Sequence, residues 1–246
     1  MTTWTRRGFL ELAGGLAIGF ALPVKRRPYL AEAAAGDPAA LAAVNAFLHI
    51  ASDDTVTVLV NHSEMGQGIW TSLPMVIAEE LEADWSKIRV EHAPAAPVYA
   101  HTMGRGQRTG GSSTTRSELD RMRQVGATAR AMLIEAAARR WKTSPASLRA
   151  EAGYVIGSRG RLSFGQLAAD AAKLTPPAHV ALKDPASWKI IGKPKRRLDS
   201  PEKITGAARY GMDVQLPGLL TALVLRPPML GGRVRVVHPA AALKLP

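Results

Sequence analysis

The chain has 246 residues, 46% of them apolar, and a formal net charge of +12, which allows one large or two modest domains with a real core. It contains no cysteine, which excludes disulfides, protein-held iron–sulfur clusters, thiolate zinc sites and cysteine nucleophiles, so any redox metal must be held by something else. The basic residues are dispersed; the densest clusters, Arg139-Arg140-Trp141-Lys142 and Lys193-Pro194-Lys195-Arg196-Arg197, do not sit among the aromatics of a single-strand binding surface, which argues against nucleic acid as a partner.

At the N-terminus, Thr5-Arg6-Arg7-Gly8-Phe9-Leu10 precedes an apolar run over 12–22. Eleven residues cannot cross a hydrocarbon layer that needs about 20. A paired arginine ahead of a short, glycine-bearing apolar run is the pattern of a twin-arginine export signal, and small residues around Ala33 and Ala35 stand at a peptidase spacing. Residues 1–35 therefore read as a signal segment. The expected location is the periplasm, reached after folding in the cytoplasm.

Residues 54–61 are β-branched and partly alternating and predict a strand. Leu73, Ile77 and Leu81 share one face of a predicted helix over 69–81. A second strand fits 88–93, followed by a long Pro/Ala/Gly-rich loop to about 111. Leu119, Met122, Val125, Ala129, Met132, Leu133, Ala136 and Arg140 mark one stripe of a long helix over 114–141, which Thr143-Ser144-Pro145 ends. Tyr154-Val155-Ile156 and Arg161-Leu162-Ser163 predict a short hairpin, and 164–174 a further helix. Residues 181–200, within a Pro- and Lys-rich stretch that begins near 175, read as a linker. Strands are expected at 206–214, 219–226 and 233–237. The fold class is α+β.

Two glycine-rich turns stand immediately before helices: Glu64-Met65-Gly66-Gln67-Gly68, and Thr109-Gly110-Gly111-Ser112-Ser113-Thr114. A helix start leaves about four backbone N–H groups unpaired at the positive end of the helix dipole, and glycine admits a phosphate close to that backbone. An anionic ligand is the natural guest, although such runs are also common as ligand-free helix caps. Ordinary nucleotide motifs fail: Ser112 stands where a Walker lysine should be, and Gly104-Arg105-Gly106 has Thr109 in place of its third glycine.

Taken together, Glu64-Met65-Gly66-Gln67-Gly68-x-x-Thr71, Thr109-Gly110-Gly111-Ser112-x-x-x-Arg116 and Trp141 resemble the xanthine oxidase family of molybdenum hydroxylases. Within it, the arrangement is most similar to isoquinoline 1-oxidoreductase beta-subunits and exported aldehyde dehydrogenase large subunits. Arg197-Leu198-Asp199, Lys203-Ile204-Thr205-Gly206-Ala207-Ala208-Arg209-Tyr210 and Asp213-x-x-x-Pro217-Gly218-x-Leu220 resemble the opening of that family's hammerhead domain. The resemblance implies a molybdopterin-binding α/β segment over 40–180, the linker at 181–200, and the truncated start of an α/β hammerhead over 201–246.

The same resemblance implies a molybdenum-molybdopterin cytosine dinucleotide cofactor, whose dithiolene sulfurs would explain a redox-metal protein without cysteine. Gln67 would hydrogen-bond near the apical ligand of molybdenum, or simply order its loop. Gly66, Gly68 and Thr71 would pack beside the pterin, and Gly110, Gly111, Ser112, Ser113 and Thr114 would cradle the phosphates. Implied partners are a small [2Fe–2S] subunit, a c-type cytochrome acceptor and the remaining C-terminal portion of the large subunit. The implied reaction is hydroxylation of an aldehyde or N-heteroaromatic with oxygen from water.

The family's glutamate base lies in a Gly-x-Gly-Glu element that this sequence lacks, and Glu64 does not match it, so no catalytic residue is assigned and the chain alone is expected to be inactive. Two other readings stand beside this one: a non-catalytic split or remnant subunit, and an exported module for a small anionic ligand. Glu79, Glu80 and Glu82 read as a solvated helix face. None of the six histidines pairs at metal spacing, and His62-Ser63-Glu64 lacks the cysteines of a zinc deaminase, so all six read as surface or core residues.

Overall fold

The computed structural model describes residues 16–18, 47–104 and 106–244. Most of the segment read as an export signal, including Arg6, Arg7 and the Ala33–Ala35 region, lies outside the described residues; for 16–18 only the backbone is described. Two compact units divide the chain, Met1–Ile204 and Thr205–Pro246.

In the first unit a four-stranded sheet runs in the order β1 (Leu16–Ile18), β2 (Leu48–Ile50), β3 (Val56–Val60), β4 (Ile88–His92). β1, β2 and β3 pair antiparallel, with Leu48 opposite Val58 and Ile50 opposite Val56. β3 and β4 are parallel, with Val56 beside Ile88 and Val60 beside His92. The crossover between them is α1 (Ile69–Leu81), which the 73–77–81 face predicts. Burial on both faces of β3 suits a strand covered by helices.

The long helix α2 (Thr114–Trp141) packs on α1. Met122, Val125, Ala129, Met132, Leu133 and Ala136 are buried as their stripe requires, whereas Leu119 is half-buried and Arg140 is exposed. The two helices cross where Gly126 faces Ile77: a Cβ there would stand 2.5 Å from the Ile77 carbonyl oxygen. Lys142, in the left-handed region, ends α2 by donating its N–H to the Ala138 and Arg139 carbonyls. Beyond it, β5 (Arg149–Glu151), β6 (Tyr154–Gly157) and β7 (Gly160–Ser163) form an antiparallel meander. Ser163 caps α3 (Phe164–Ala171) through a reciprocal pair with Gln166. The fold is α+β.

The three glutamates at the end of α1 correct the sequence expectation. Glu79 and Glu80 are buried, 1% and 0% exposed, and Glu82 is half-buried. Carboxylates at a helix C-terminus oppose its dipole, so they require partners, and the segment read as a linker supplies most of them. Glu79 Oε2 accepts from the N–H groups of Lys189, Ile190 and Ile191 at 2.9, 2.6 and 3.1 Å, while its Oε1 pairs with Lys183. Glu80 pairs with Arg123 at 2.8 Å and accepts the Lys183 N–H at 3.0 Å. Residues 183–191 thus lie strapped along the end of α1.

The second unit also departs from expectation. The strands expected at 206–214, 219–226 and 233–237 are absent among the described residues; only short 3-10 turns form, at Gly211–Asp213 and Ala242–Lys244. Val224, Leu225, Val234 and Val236 are 67–98% exposed. Alternating apolar residues form strands only where a ladder partner and a covering face exist, and the described residues of this unit supply neither.

Candidate functional site

Both glycine-rich turns lie at the carboxyl end of the parallel strand pair, where β3 and β4 run out, and they are tied together. The Ser63 N–H donates to Thr109 Oγ1 at 2.8 Å, and His62 Nδ1 lies 3.2 Å from Thr114 Oγ1. A cleft of about 220 Å³ opens there, lined by Asn61, His62, Ser63, His92, Arg108 and Thr109 among others. The end of a parallel strand pair is the usual ligand position in α/β sheets.

At the first turn the anion site is filled from within. Glu64 Oε1 accepts the N–H groups of Gly66 and Gly68 at 2.7 and 3.0 Å, and Oε2 accepts that of Trp70, in the first turn of α1, at 3.0 Å. Burial pushes the Glu64 carboxyl up, but these three donors and Arg197 hold it below its usual range. The Gln67 carboxamide is engaged in the same turn, donating to Ser63 O at 2.8 Å and accepting from the Met65 N–H at 2.5 Å. Thr71, buried, accepts the Leu198 N–H at 3.0 Å. The first turn therefore has no vacancy for an anion. The role of Glu64 went unread in the sequence, although its spacing of two, four and six residues from Gly66, Gly68 and Trp70 suits a carboxylate wrapped by its own loop.

The second turn differs. Ser113 precedes α2 in a right-handed conformation and makes no side-chain cap. Its hydroxyl turns inward, donating to Gly110 O at 2.8 Å and standing 2.8 Å from His101 Nε2. The Thr114 hydroxyl likewise meets His62, so of the three hydroxyls expected at the ligand only that of Ser112 lies on an exposed residue. Ser112 adopts φ 50° and Gly111 φ 61°, a left-handed pair that Gly111 makes possible.

Beneath this turn lies a buried polar network. Met103 N–H donates to His101 Nδ1 at 2.9 Å, which puts the ring proton of a neutral His101 on Nε2, facing Ser113. Burial, joined by His62, Arg108 and Arg121, lowers the His101 pKa against the pull of Glu118. Glu118, fully buried, takes Arg121 Nε at 2.6 Å and the Thr102 N–H at 3.2 Å. Burial pushes its carboxyl up, but His62, Arg121 and Thr102 together hold it low. His62 Nε2 is 3.5 Å from Glu118 Oε1, longer than a good hydrogen bond.

The turns have room for a large group. Among the described residues, a Cβ added at Gly66, Gly68 or Gly110 would meet nothing within 4 Å, and at Gly111 only Arg108 Nη2 at 3.9 Å. Asn61 Oδ1, buried at the head of the cleft, has no hydrogen-bond partner among the described residues, while its Nδ2 donates to Tyr99 O at 3.0 Å. An uncapped helix start beside Arg108 and Arg116, open backbone at Gly110 and Gly111 and no thiol in the chain fit a bulky anionic cofactor that brings its own metal ligands.

Comparison with known proteins places this arrangement. The molybdopterin cofactor-binding domain family matches residues 14–215. The beta chain of isoquinoline 1-oxidoreductase from Brevundimonas diminuta is 35% identical over 98% of this chain and 36% of its own length. The membrane-bound aldehyde dehydrogenase [pyrroloquinoline-quinone] of Gluconacetobacter polyoxogenes is 33% identical over 98% of this chain and 32% of its own. A nicotinate dehydrogenase subunit from Pseudomonas putida is 32% identical over 75% of this chain and 15% of its own. The chain spans about a third of the length of the first two relatives. It belongs to the family of molybdopterin cofactor-binding domains found in the large subunits of xanthine oxidase-type molybdenum hydroxylases.

Proposed function

We propose that this chain forms the cofactor-cradling part of a periplasmic molybdenum hydroxylase large subunit that oxidises aldehydes or N-heteroaromatics with water as the oxygen source. The observation that carries the reading is the contrast between the two joined turns. Glu64 already saturates the first, whereas the second presents an uncapped helix start beside two arginines. Phosphates of a dinucleotide form of the cofactor would rest on the backbone of Gly110, Gly111 and Ser112, with the inward Ser113 and Thr114 hydroxyls holding the turn rather than touching the ligand. Gly66, Gln67, Gly68 and Thr71 would supply a preformed wall beside the pterin. When bound, the cofactor would supply the two-electron redox chemistry, and the residues of this chain would position it.

A small [2Fe–2S] subunit and a c-type cytochrome would carry electrons away, and the remainder of a large subunit would supply the general base. Folding before export agrees with a cofactor inserted in the cytoplasm. The test is to co-express the chain with the polypeptide that completes the subunit, in a host that makes the cytosine dinucleotide cofactor. Molybdenum and CMP, measured after acid release, are expected in equal amounts; a complex without either rules the reading out.

A further inference from the structure

The first glycine turn is held from far along the chain. Arg197 lies 131 residues beyond Gly66 and donates to its carbonyl from Nη1 at 2.8 Å. Nη2 meets Glu64 Oε1 at 2.9 Å, the oxygen that also accepts the Gly66 and Gly68 N–H groups. The plane of the guanidinium is fixed by Asp199, which takes Nε at 2.9 Å on Oδ1 and Nη2 at 2.8 Å on Oδ2. Lys203 Nζ donates to the same Oδ2 at 2.5 Å. Between them, the Leu198 N–H is received by Thr71 Oγ1 in the first turn of α1.

We propose that the 197–203 segment is a latch that presets the Glu64–Gly68 turn, with Arg197 as its positioning residue. The turn closes on a carboxylate whose side chain is 7% exposed, and a buried carboxylate needs a cation and directed donors. Arg197 provides the cation, and the bidentate pair with Asp199 aims it; a lysine, with three donors and no planar fork, cannot make all four of the bonds that Arg197 makes to Asp199, Glu64 and the Gly66 carbonyl. Because Gln67 is hydrogen-bonded inside that turn, docking of the downstream segment decides whether Gln67 stands in its final place. The binding wall is therefore complete only after residues 197–203 have been made and have docked. The latch stands on the geometry alone; only the identity of the guest rests on the proposed cofactor.

The test is amide exchange by NMR on the whole cofactor-free chain near pH 7, comparing wild type with Arg197→Gln, Arg197→Lys and Asp199→Asn. Losing a charge-assisted partner is expected to lower protection about tenfold or more at Gly66, Gly68 and Trp70 in Arg197→Gln, with Arg197→Lys recovering little and Asp199→Asn falling between. Protection at Ala129 and Leu133 in α2 should stay as in wild type. Unchanged protection in the turn overturns the latch, and so does an equal loss in α2, because Arg197 would then support the fold at large. A wild-type complex with a protected turn but no molybdenum would overturn the cofactor reading and leave the latch standing.

Discussion

Ser113 Oγ lies 2.8 Å from His101 Nε2 beneath the start of α2, so a hydroxyl that the sequence placed among the ligand donors faces the core instead. Ser113 is 6% exposed and also donates to Gly110 O. Ser113→Ala would leave the His101 N–H and the Gly110 carbonyl without that partner, at a cost of about 1–3 kcal/mol. Ser112→Ala, one residue away and exposed, should stay within about 0.5 kcal/mol of wild type. Urea unfolding of the two variants checks the contrast; equal stabilities would mean that the network does not hold the turn.

The Glu79–Lys183 pair predicts a pH profile. Burial pushes Glu79 up, but Lys183 and the Ile190 and Ile191 amides hold it below its usual 4.5. Burial pushes Lys183 down, but Glu79 and Glu82 hold it above its usual 10.5. A depressed carboxyl contributes stability above its unfolded pKa and loses it as pH falls through the folded one; a raised ammonium contributes below its unfolded pKa and loses it as pH rises through the folded one. The strap should thus be firmest between these limits and release at both extremes. Glu79→Ala, which removes the acceptor of three amides and leaves Lys183 paired with Glu82, should destabilise by about 1–3 kcal/mol. In limited proteolysis the variant should be cut within 183–191 at neutral pH, where wild type resists; identical cleavage patterns would contradict the strap.

Gly126→Ala tests the helix crossing. An alanine gains about 1 kcal/mol of helix propensity, but its Cβ would stand 2.5 Å from the Ile77 carbonyl and 2.9 Å from Glu80 Cβ. Forcing the helices apart costs about 1–3 kcal/mol. Net destabilisation is expected from thermal unfolding, and a stabilised variant would show that α1 and α2 separate freely.

Local patterns were legible in the sequence where one periodicity and one pair of caps governed an element. The boundaries of α1 and α2 follow from the 73–77–81 face and the 119–136 stripe, and the loop-bearing end of the sheet from strand–turn–helix order. Contacts set by distant residues were not legible. Glu79 looked solvated because its partners at 183–191 lie about 110 residues away, and Ser113 looked free because His101 sits in a loop without periodicity. The strands expected at 206–214, 219–226 and 233–237 do not form among the described residues, because a run of apolar residues becomes a strand only where a ladder partner pairs with it.

The export reading makes its own prediction. Replacing Arg6 and Arg7 by lysine keeps the charge and removes the paired guanidinium groups, so fractionated cells should show the protein retained in the cytoplasm. Undiminished periplasmic protein in the double variant would exclude the twin-arginine route.

The most direct test of the cofactor cradle is the molybdenum and CMP content of the completed subunit carrying Gly111→Val or Ser112→Ala. Valine would place a branched side chain over the open backbone at φ 61°, where the ligand must approach and where branched residues are strained. Alanine removes one hydroxyl and leaves the backbone donors of α2 intact. The account predicts that the valine variant loses most of its molybdenum and CMP while the alanine variant keeps most of both; wild-type content in both would show that the second turn is only a helix start.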